Sequence, residues 1–402
     1  MPAFRIAAPD FAENSPMETL LTENGPYRLL LAPGAALLKN ARDRLRQAAG
    51  QGNELVYGDE ILLDGQGGRR LLQKPDWSPD TLRSFNYMGG PVAASEALWR
   101  EAGCREGDGP EVSYGNLLRL TALSKSVLHI GEPLAEGPAG KQADPVGTVA
   151  AALRQAGINA RVGQGLLPGT AAVRYRIPRG TRVSCVVYGS GDVNGFRRTL
   201  ESVACRNTYP HVELILADGC PLEERTERYA AALRKNRAAE VLRRFGETNL
   251  ARLCNLAAEG ARGDAVLFLP AGYGLGAHDG LERMLEYALR PYAGAVFGGV
   301  RRPRERPRPH ERIIRNVSLA APPVMIRRDR FLSTGGFDET LGRRGFSEAL
   351  CWRLTYRRLH NVATPYAPFD GPEGGAEQGP PITARNRQRW NDLLFQWGQE
   401  VD

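Results

Sequence analysis

The sequence lacks the signatures of several common kinds of site and enzyme. Its six cysteines include no CxxC pair and no histidine cluster accompanies them, which argues against a zinc site. There is no G-K-[ST] phosphate loop, no GxGxxG and no GxSxG, so P-loop NTPases, dinucleotide enzymes and serine hydrolases lack their motifs here. The start has no charged region followed by an apolar one, and no apolar run reaches about 18 residues. We therefore predict neither a signal peptide nor a membrane span, and a cytoplasmic location.

The composition is that of a folded protein with a basic surface. Hydrophobic residues make up 42% and charged residues 24% of the 402 residues, enough for two or three domains with separate cores. The net charge of +8 comes almost entirely from arginine, because lysine is scarce. Arginine is the better bidentate partner for phosphate and carboxylate groups. A genome rich in G and C is the alternative explanation for the excess of arginine. We expect no nucleic-acid partner.

The segment 181–299 predicts a parallel α/β sheet. Apolar runs at Val183–Tyr188, Val212–Ala217 and Ala265–Leu269 alternate with helical patterns such as Phe196–Ala204. Continuous apolar strands alternating with amphipathic helices are typical of a parallel sheet that is covered on both faces.

The carboxyl ends of these strands are the predicted ligand site, because ligands of open α/β sheets bind beyond those ends. The ends are Tyr188-Gly189, Asp218-Gly219 and Pro270-Ala271-Gly272. Asp218 before a glycine is equally interpretable as a ligand-binding residue and as an ordinary turn residue.

An arginine- and proline-rich segment follows at Arg301–Arg312. Its prolines predict an exposed, extended loop rather than a helix. Such a loop could hold anionic lipid headgroups or a diphosphate by electrostatics, and a solvated surface loop is the alternative.

Residues 181–370 resemble the family-2 glycosyltransferases, which have the GT-A fold and transfer sugars from nucleotide-diphosphate sugars. Ten short motifs match in the family's order: Val183-Ser-Cys-Val-Val187, Leu200-Glu-Ser-Val203, Tyr209-Pro-His-Val-Glu-Leu214, Asp218-Gly219, Asn249 with Asn255, Ala261-Arg-Gly-Asp264, Leu267-Phe-Leu269, Gly335-Gly-Phe-Asp-Glu339, Cys351-Trp-Arg-Leu354 and Thr364-Pro-Tyr-Ala367. Each motif is weak alone, and their common order makes the resemblance specific.

The N-terminal part resembles the later half of the same module, as in bacterial surface-glycan proteins that carry two modules in tandem. The matching pieces include Tyr57-Gly-Asp-Glu60, Lys74-Pro-Asp-Trp-Ser-Pro-Asp80 and His129-Ile130. The resemblance implies four segments: a truncated GT-A-like module at 1–140, a linker with a helix at 141–180, a second GT-A-like module at 181–375 and a helical tail at 376–402. A half-module exposes a sheet edge, which we expect module two or a second copy to cover.

The sequence departs from the family at the metal site. Members carry an Asp-rich motif after the strand that corresponds to Leu267–Leu269, where a divalent cation bridges protein and diphosphate. That place reads Pro270-Ala271-Gly272, and its counterpart in module one reads Pro33-Gly34-Ala35. Because a hard cation needs oxygen ligands, we predict no metal cofactor.

The catalytic base and a histidine of the family are also replaced. The base position falls on Ser347 and, in module one, on Ser113, and no histidine occurs between Phe369 and Gly374. A serine alone cannot accept the proton of an acceptor hydroxyl. Glu348 could do so if the register shifts by one residue, and it could otherwise be a carboxylate favoured at a helix N-terminus.

The resemblance and the departures together predict a catalytically degenerate glycosyltransferase homologue of bacterial surface-glycan or protein-glycan assembly. It would bind a glycan, a nucleotide or a partner transferase, with Tyr188, Gly189, Asp218 and Gly219 as nucleotide-sugar residues. The alternative is an active, metal-independent, inverting transferase with Glu348 as base and diphosphate contacts from Arg301, Arg302, Arg327 or Arg328. We also expect self-association and a lipid-linked acceptor. The Arg301–Arg312 loop could contact the inner face of the membrane.

Overall fold

The computed structural model describes residues 17–64, 66, 68–105, 110–138, 143–189, 192–219, 224–235, 240–243, 247–301, 307–318, 322–341 and 345–371. Two compact units divide the chain. Unit 1 holds the described residues up to 158 together with 162–172, and unit 2 holds 159–161 and 173–371. Within these ranges no helix has the length and apolar character needed to cross a bilayer. The predicted tail at 376–402 lies outside the described residues.

Unit 1 is built on a seven-stranded mixed sheet. The strands are β1 (Met17–Thr22), β2 (Gly25–Leu30), β3 (Ala36–Leu37), β4 (Leu55–Leu63), β5 (Arg69–Leu72), β6 (Val92–Ser95) and β7 (Val127–Pro138). Their order is β1-β2-β6-β4-β7-β3, with β5 paired to β4. The helices are α1 (Ala41–Gly50), α2 (Pro79–Leu82), α3 (Glu96–Glu101), α4 (Pro110–Leu123) and α5 (Pro145–Gln155).

Apolar residues on alternate strand positions and on one stripe of α1 form the core of unit 1. Leu29, Leu45, Val56 and Ala93 are fully buried in one cluster. The sheet edge at β2 is covered by β1, which pairs with it antiparallel from Met17↔Leu30 to Thr22↔Gly25. β1 is then the outermost strand on this side of the sheet, and cover of that edge by module two or a second copy stays a prediction.

The predicted linker segment begins with α5 and continues into a two-stranded ribbon. Asp144 caps α5, since its carboxylate accepts hydrogen bonds from the N–H groups of Val146 and Gly147, each at 3.1 Å. The ribbon consists of β8 (Ala160–Gln164) and β9 (Ala171–Tyr175).

Unit 2 is built on a nine-stranded mixed sheet. The strands are β10 (Val183–Gly189), β11 (Val212–Asp218), β12 (Glu240–Arg243), β13 (Ala265–Pro270), β14 (Gly274–Leu275), β15 (Ala293–Arg301), β16 (Arg315–Asn316), β17 (Val324–Arg327) and β18 (His360–Asp370). Their order is β12-β11-β10-β13-β17-β15-β18-β14, with β16 paired to β18. The helices are α6 (Val193–Arg206), α7 (Glu224–Lys235), α8 (Leu250–Gly260), α9 (Gly280–Ala288), α10 (Arg328–Ser333) and α11 (Phe346–Tyr356).

The predicted α/β architecture of this segment is confirmed. β10 is parallel to both β11 and β13, and residues 183–188 of β10 are buried. β17 then pairs antiparallel with β13, which makes the sheet mixed. Strands that are buried on both faces must be apolar throughout, and this is why the pattern in the sequence was continuous rather than alternating.

The end of the arginine- and proline-rich segment differs from its prediction as an extended loop. Pro309–Arg312 forms a short 3₁₀ helix with Pro309 at its first position, and His310 within it is buried. Proline is compatible with the first turn of a helix because its missing N–H would have no partner there. Residues 302–306 of this segment lie outside the described part of the chain.

Five strands of unit 1 share their order and directions with five strands of unit 2. The series β2-β6-β4-β7-β3 corresponds to β13-β17-β15-β18-β14. The pairs β4–β7 and β15–β18 are parallel, and the other three pairs of each series are antiparallel. The parallel pair also breaks register at a glycine in each unit, at Gly58 and at Gly298.

Candidate functional site

The structure brings the predicted strand ends of unit 2 together. Gly189 lies opposite Asp218 in the β10–β11 register, and Tyr188 lies opposite Pro270 in the β10–β13 register. All three strands run in the same direction, so these residues form one edge of the sheet. We refer to Tyr188-Gly189, Asp218-Gly219 and Pro270-Ala271-Gly272 as the carboxyl edge.

Backbone donors of the carboxyl edge are already used within the protein. The N–H of Ala271 donates to the carbonyl of Tyr188 at 2.9 Å, and the N–H of Gly219 donates to the carbonyl of Gly189 at 3.4 Å. Backbone N–H groups are the usual means by which such an edge binds a phosphate. These two groups are therefore not free to bind one.

The turn after β13 also packs closely against α6. The N–H of Gly272 has acceptors in Thr199 Oγ1 at 2.9 Å and the carbonyl of Gly195 at 3.1 Å. Gly272 has φ +96°, a conformation that favours glycine, so a side chain at this position would be strained. The turn is held by contacts that a carboxylate at Gly272 would disturb.

The residues of this turn do not fit a divalent cation. Pro270, Ala271 and Gly272 carry no side-chain oxygen. Among the residues that the structure describes, no group of three or more His, Cys, Asp or Glu side chains could hold a metal ion. Hard cations bind through six or more oxygen ligands, several of them carboxylates or waters. We derive no chemical step through a metal.

Tyr188 and Glu348 lie within electrostatic range of each other. Burial raises the pKa of Tyr188 well above its ordinary value, and Cys254, Tyr273 and the Glu348 carboxylate raise it further. The hydroxyl of Tyr188 therefore stays protonated at physiological pH.

Glu348 occupies the first turn of α11 beside the serine that replaces the base. The Ser347 hydroxyl donates to Glu348 Oε2 at 3.0 Å, and Ser347 is buried while Glu348 is partly exposed. A carboxylate in the first turn of a helix is favoured by the helix dipole. Because Glu348 is partly exposed, its carboxylate is the group that accepts a proton in the alternative hypothesis.

Asp218 is the last residue of β11 and is completely buried. It lies between Gly189 of β10 and Arg243 of β12 in the register of the sheet. The carboxyl edge therefore holds Asp218 between two strands.

The arginines proposed as diphosphate contacts are not brought to the carboxyl edge as a group. Arg327 lies opposite Ala265, at the start of β13, and its guanidinium pairs with Asp329 at 3.0 Å. Arg328 donates to the carbonyls of Ala258 at 2.9 Å and Glu259 at 2.7 Å, so it caps the end of α8. We leave both arginines out of the candidate site, because β17 runs antiparallel to β13 and carries them to the other end of the sheet.

Arg301 is the last residue of β15, which runs in the same direction as β13, so it lies on the same side of the sheet as the carboxyl edge. Arg302 lies outside the described residues. Asp370 Oδ1 is 3.8 Å from Arg301 Nη1, and Asp370 Oδ2 is 3.6 Å from Arg206 Nη1. This group lies where β14 and β18 pair beside α6. Sequence reasoning missed Arg206 and Asp370, because nothing in their spacing shows that the strands bring them together.

Several residues that carry the family resemblance have a structural role. Asn255 Oδ1 accepts from the N–H of Phe337 at 2.8 Å, and Asn255 Nδ2 donates to the carbonyl of Phe337 at 3.0 Å. Arg353 donates to the carbonyls of Thr334 and Gly336. These side chains hold the Gly335–Glu339 turn against α8 and α11.

The corresponding edge of unit 1 holds a buried network of charged groups. His129 Nε2 lies 2.9 Å from Asp59 Oδ1, and His129 Nδ1 lies 3.0 Å from Asp76 Oδ1. Lys74 is fully buried, with Nζ 3.3 Å from Glu60 Oε1. The network ties the segment after β5 to the middle of β4 and to the start of β7.

We expect unit 1 to lose stability as pH rises above neutral. Burial lowers the pKa of His129, but hydrogen bonds to Asp59 and Asp76 and the charges of both carboxylates outweigh it, and the net pKa is raised. A group with a raised folded-state pKa stabilises fully below its unfolded pKa of about 6.5 and loses that contribution as pH rises through the folded value.

Urea unfolding of the wild-type chain and of His129→Gln between pH 6 and pH 9, followed through hydrogen exchange of β4 and β7 peptides, measures this effect. The wild-type unfolding free energy should fall by up to about 1.4 kcal/mol per pH unit, the value for one linked proton. The variant should show a smaller slope, and equal slopes would contradict the assignment to His129.

Unit 2 resembles a known protein family. Residues 186–355 match the family described as Glycosyl transferase family 2. The O-antigen biosynthesis protein RfbC of Myxococcus xanthus is 30% identical over 366 residues, which cover 77% of this chain and 28% of that protein. The protein y4gI of Sinorhizobium fredii is 26% identical over 396 residues, covering 86% of this chain and 44% of that protein. The chain thus spans less than half the length of these two relatives.

Solved structures also align with this chain. GalNAc-T7 with UDP, GalNAc and Mn²⁺ aligns with a TM-score of 0.44 at 14% identity, over 56% of this chain and 49% of that chain. The mannosyltransferase PcManGT from Pyrobaculum calidifontis, with GDP-Man and Mn²⁺, aligns with a TM-score of 0.41 at 16% identity, over 55% of this chain and 66% of that chain.

Unit 2 is a mixed α/β domain. Its residues 186–355 match the family-2 glycosyltransferases, and the resemblance that the ordered motifs had predicted is confirmed.

Proposed function

We propose that this chain is a family-2 glycosyltransferase homologue of bacterial surface-glycan assembly that binds its ligands without transferring sugar. The similarity to an O-antigen biosynthesis protein supports the biological setting. The proposed loss of sugar transfer rests on the turn after β13. This turn has no side-chain oxygen, and its N–H groups donate to Tyr188, Gly195 and Thr199.

The physical reason is the charge of the leaving diphosphate. Departure of a nucleotide diphosphate builds negative charge, and stabilising that charge is commonly the largest catalytic term. A cation would need carboxylates at Pro270–Gly272, and Arg327 and Arg328 are committed to Asp329 and to the end of α8. Arg301, on the same side of the sheet, lies 3.8 Å from Asp370, whose carboxylate offsets its charge. We expect the described residues to supply too little positive charge at the carboxyl edge to stabilise the leaving diphosphate.

An active, metal-independent transferase is the second candidate, and one observation favours it. Glu348 is partly exposed and lies within electrostatic range of Tyr188 at the carboxyl edge. In this case Glu348 would take the proton of the acceptor hydroxyl as it attacks the sugar, and the diphosphate would leave with the electron pair of the broken bond.

Donor hydrolysis and calorimetry with the full chain decide between these candidates. We expect UDP- and GDP-sugars, with or without manganese, to release nucleotide no faster in the presence of the protein than in buffer alone. Metal-independent release that is lost in Glu348→Gln and retained in Glu259→Gln, an exposed carboxylate on α8, would establish the second candidate instead. Manganese-dependent binding or release would contradict both.

Tandem modules, a partner transferase, self-association, a lipid-linked acceptor and membrane contact through Arg301–Arg312 stay predictions. The shared strand order of units 1 and 2 supports the first of them.

A further inference from the structure

Unit 2 carries a groove at the end of its sheet opposite the carboxyl edge. Its cavity measures about 880 Å³ and is lined where the chain enters β10 and β11, by Pro178–Gly180 and by Tyr209–His211. β10 spans seven residues, which places its two ends roughly 20 Å apart at about 3.3 Å per residue. The groove is therefore separate from the candidate nucleotide site.

Ion pairs hold the floor of the groove in place. Arg174 Nε lies 2.6 Å from Glu286 Oε1, and its Nη2 lies 3.4 Å from Glu282 Oε1. Beside it, the buried Tyr175 ring packs edge-to-face on Tyr287 at 5.5 Å. Glu282 and Glu286 are thus paired with Arg174, which offsets the repulsion that their charges would exert on a bound anion.

The rim of the groove presents positive charge that no described residue neutralises. Arg161, Arg176 and Arg179 line the cavity and are exposed. Within the described part of the chain, none of the three guanidinium groups has a hydrogen-bond or ion-pair partner. An unpaired guanidinium presents a planar fork of donors that matches a carboxylate or phosphate.

Aromatic side chains form the opposite rim. The Tyr209 hydroxyl donates to the carbonyl of Thr181 at 2.6 Å, so its ring is held in one orientation. His211 is exposed and lies edge-to-face with Tyr209 at 6.0 Å. An amphipathic ring held in this way offers an apolar face with a polar edge, which suits the C–H face and hydroxyl groups of a sugar.

We propose that this groove binds an acidic oligosaccharide, with its carboxylate or phosphate groups on Arg161, Arg176 and Arg179 and a sugar ring against Tyr209 and His211. The choice of a glycan rests on the proposed function. The groove would then hold the chain on a growing anionic glycan, independently of any chemistry at the carboxyl edge.

Calorimetry with defined ligands on the full chain tests the proposal. The ligands are hexagalacturonate, a phosphorylated oligosaccharide, neutral maltohexaose and hexaglutamate. We expect binding of at least one acidic oligosaccharide, no binding of maltohexaose, and at least tenfold weaker binding of hexaglutamate. The first two ligands distinguish carboxylate from phosphate as the recognised group. Raising the salt from 50 to 500 mM should weaken binding, because exposed charges are screened.

Variants locate the site. Arg161→Ala/Arg176→Ala/Arg179→Ala should weaken binding at least tenfold, and His211→Ala should weaken binding of the sugar more than binding of inorganic phosphate. The matched control Arg154→Ala/Arg198→Ala/Arg357→Ala removes three exposed arginines elsewhere and should leave binding unchanged. Unchanged binding by Arg161→Ala/Arg176→Ala/Arg179→Ala, or equal binding of hexaglutamate, would overturn the proposal. If the groove binds no acidic oligosaccharide and the protein hydrolyses no donor, the groove proposal fails and the proposed function stands. If the groove binds an acidic oligosaccharide and the protein hydrolyses a donor, the groove proposal stands and the proposed loss of sugar transfer fails.

Discussion

Replacing Phe337 by alanine should lower the free energy of unfolding of unit 2 by about 3–5 kcal/mol. Phe337 is 1% exposed, and its ring packs edge-to-face on Phe268 at 4.7 Å, on Phe331 at 4.9 Å and on Phe346 at 4.8 Å. Asn255 bonds both backbone groups of Phe337, so the backbone cannot move in to fill the cavity. A cavity that cannot collapse gives a cost near the upper end of the range.

Urea unfolding followed by hydrogen exchange of β13 and β17 peptides measures this change, since two units need not unfold in one transition. Tyr356→Ala on α11 is the control: its side chain is 91% exposed, so its effect should stay within about 0.5 kcal/mol. A loss below about 1 kcal/mol for Phe337→Ala would show that the four rings do not form a close-packed core.

Lys74→Ala should destabilise unit 1 by about 3–5 kcal/mol, the usual cost of removing one partner from a buried ion pair. Lys74 is fully buried, Nζ donates to the carbonyl of Gly90 at 2.8 Å, and Glu60 Oε1 lies 3.3 Å away. Burial raises the pKa of Glu60, and Lys74 opposes that rise. Without Lys74 the carboxyl is left buried with no cation and takes up a proton more readily.

The pH dependence of this loss distinguishes an electrostatic cause from a packing cause. The loss should be smaller at pH 5 than at pH 8, because a protonated Glu60 needs no counterion. The double variant Lys74→Met/Glu60→Gln removes both charges and keeps most of the volume, so it should recover much of the stability. Unfolding free energies from hydrogen exchange of β4 peptides provide the measurement. An equal loss at both pH values, with no recovery in the double variant, would attribute the effect to packing alone.

Periodicity and motif order predicted most of unit 2. The apolar runs at β10, β11 and β13 identified the central parallel strands, because a strand that is buried on both faces has to be apolar along its length. The Gly335–Glu339 motif was recognised from its residues, and its role in holding a turn between α8 and α11 became clear only from the hydrogen bonds of Asn255 and Arg353.

Charged side chains were predicted less well, because their partners are distant in sequence. Lys74 lies in a proline-rich stretch that suggests exposure, yet the pairing of β4 with β7 and the path of the chain after β5 bury it. Arg327 is the last residue of β17, and because β17 runs antiparallel to β13 it lies opposite Ala265, away from Tyr188. The direction of a strand depends on pairing energies between remote segments, which local sequence does not encode.

By itself, the sequence determined the class of the domain and the side chains that follow its central strands. Proline, alanine and glycine carry no side-chain oxygen in any fold, so the lack of carboxylates at Pro270–Gly272 is independent of structure. The tertiary structure decided which charges are neutralised and which are free. Arg174 and Arg328 are used inside unit 2, whereas Arg161 and Arg176 remain on a groove, because only the packing of strands and helices sets the distances over which charges can pair.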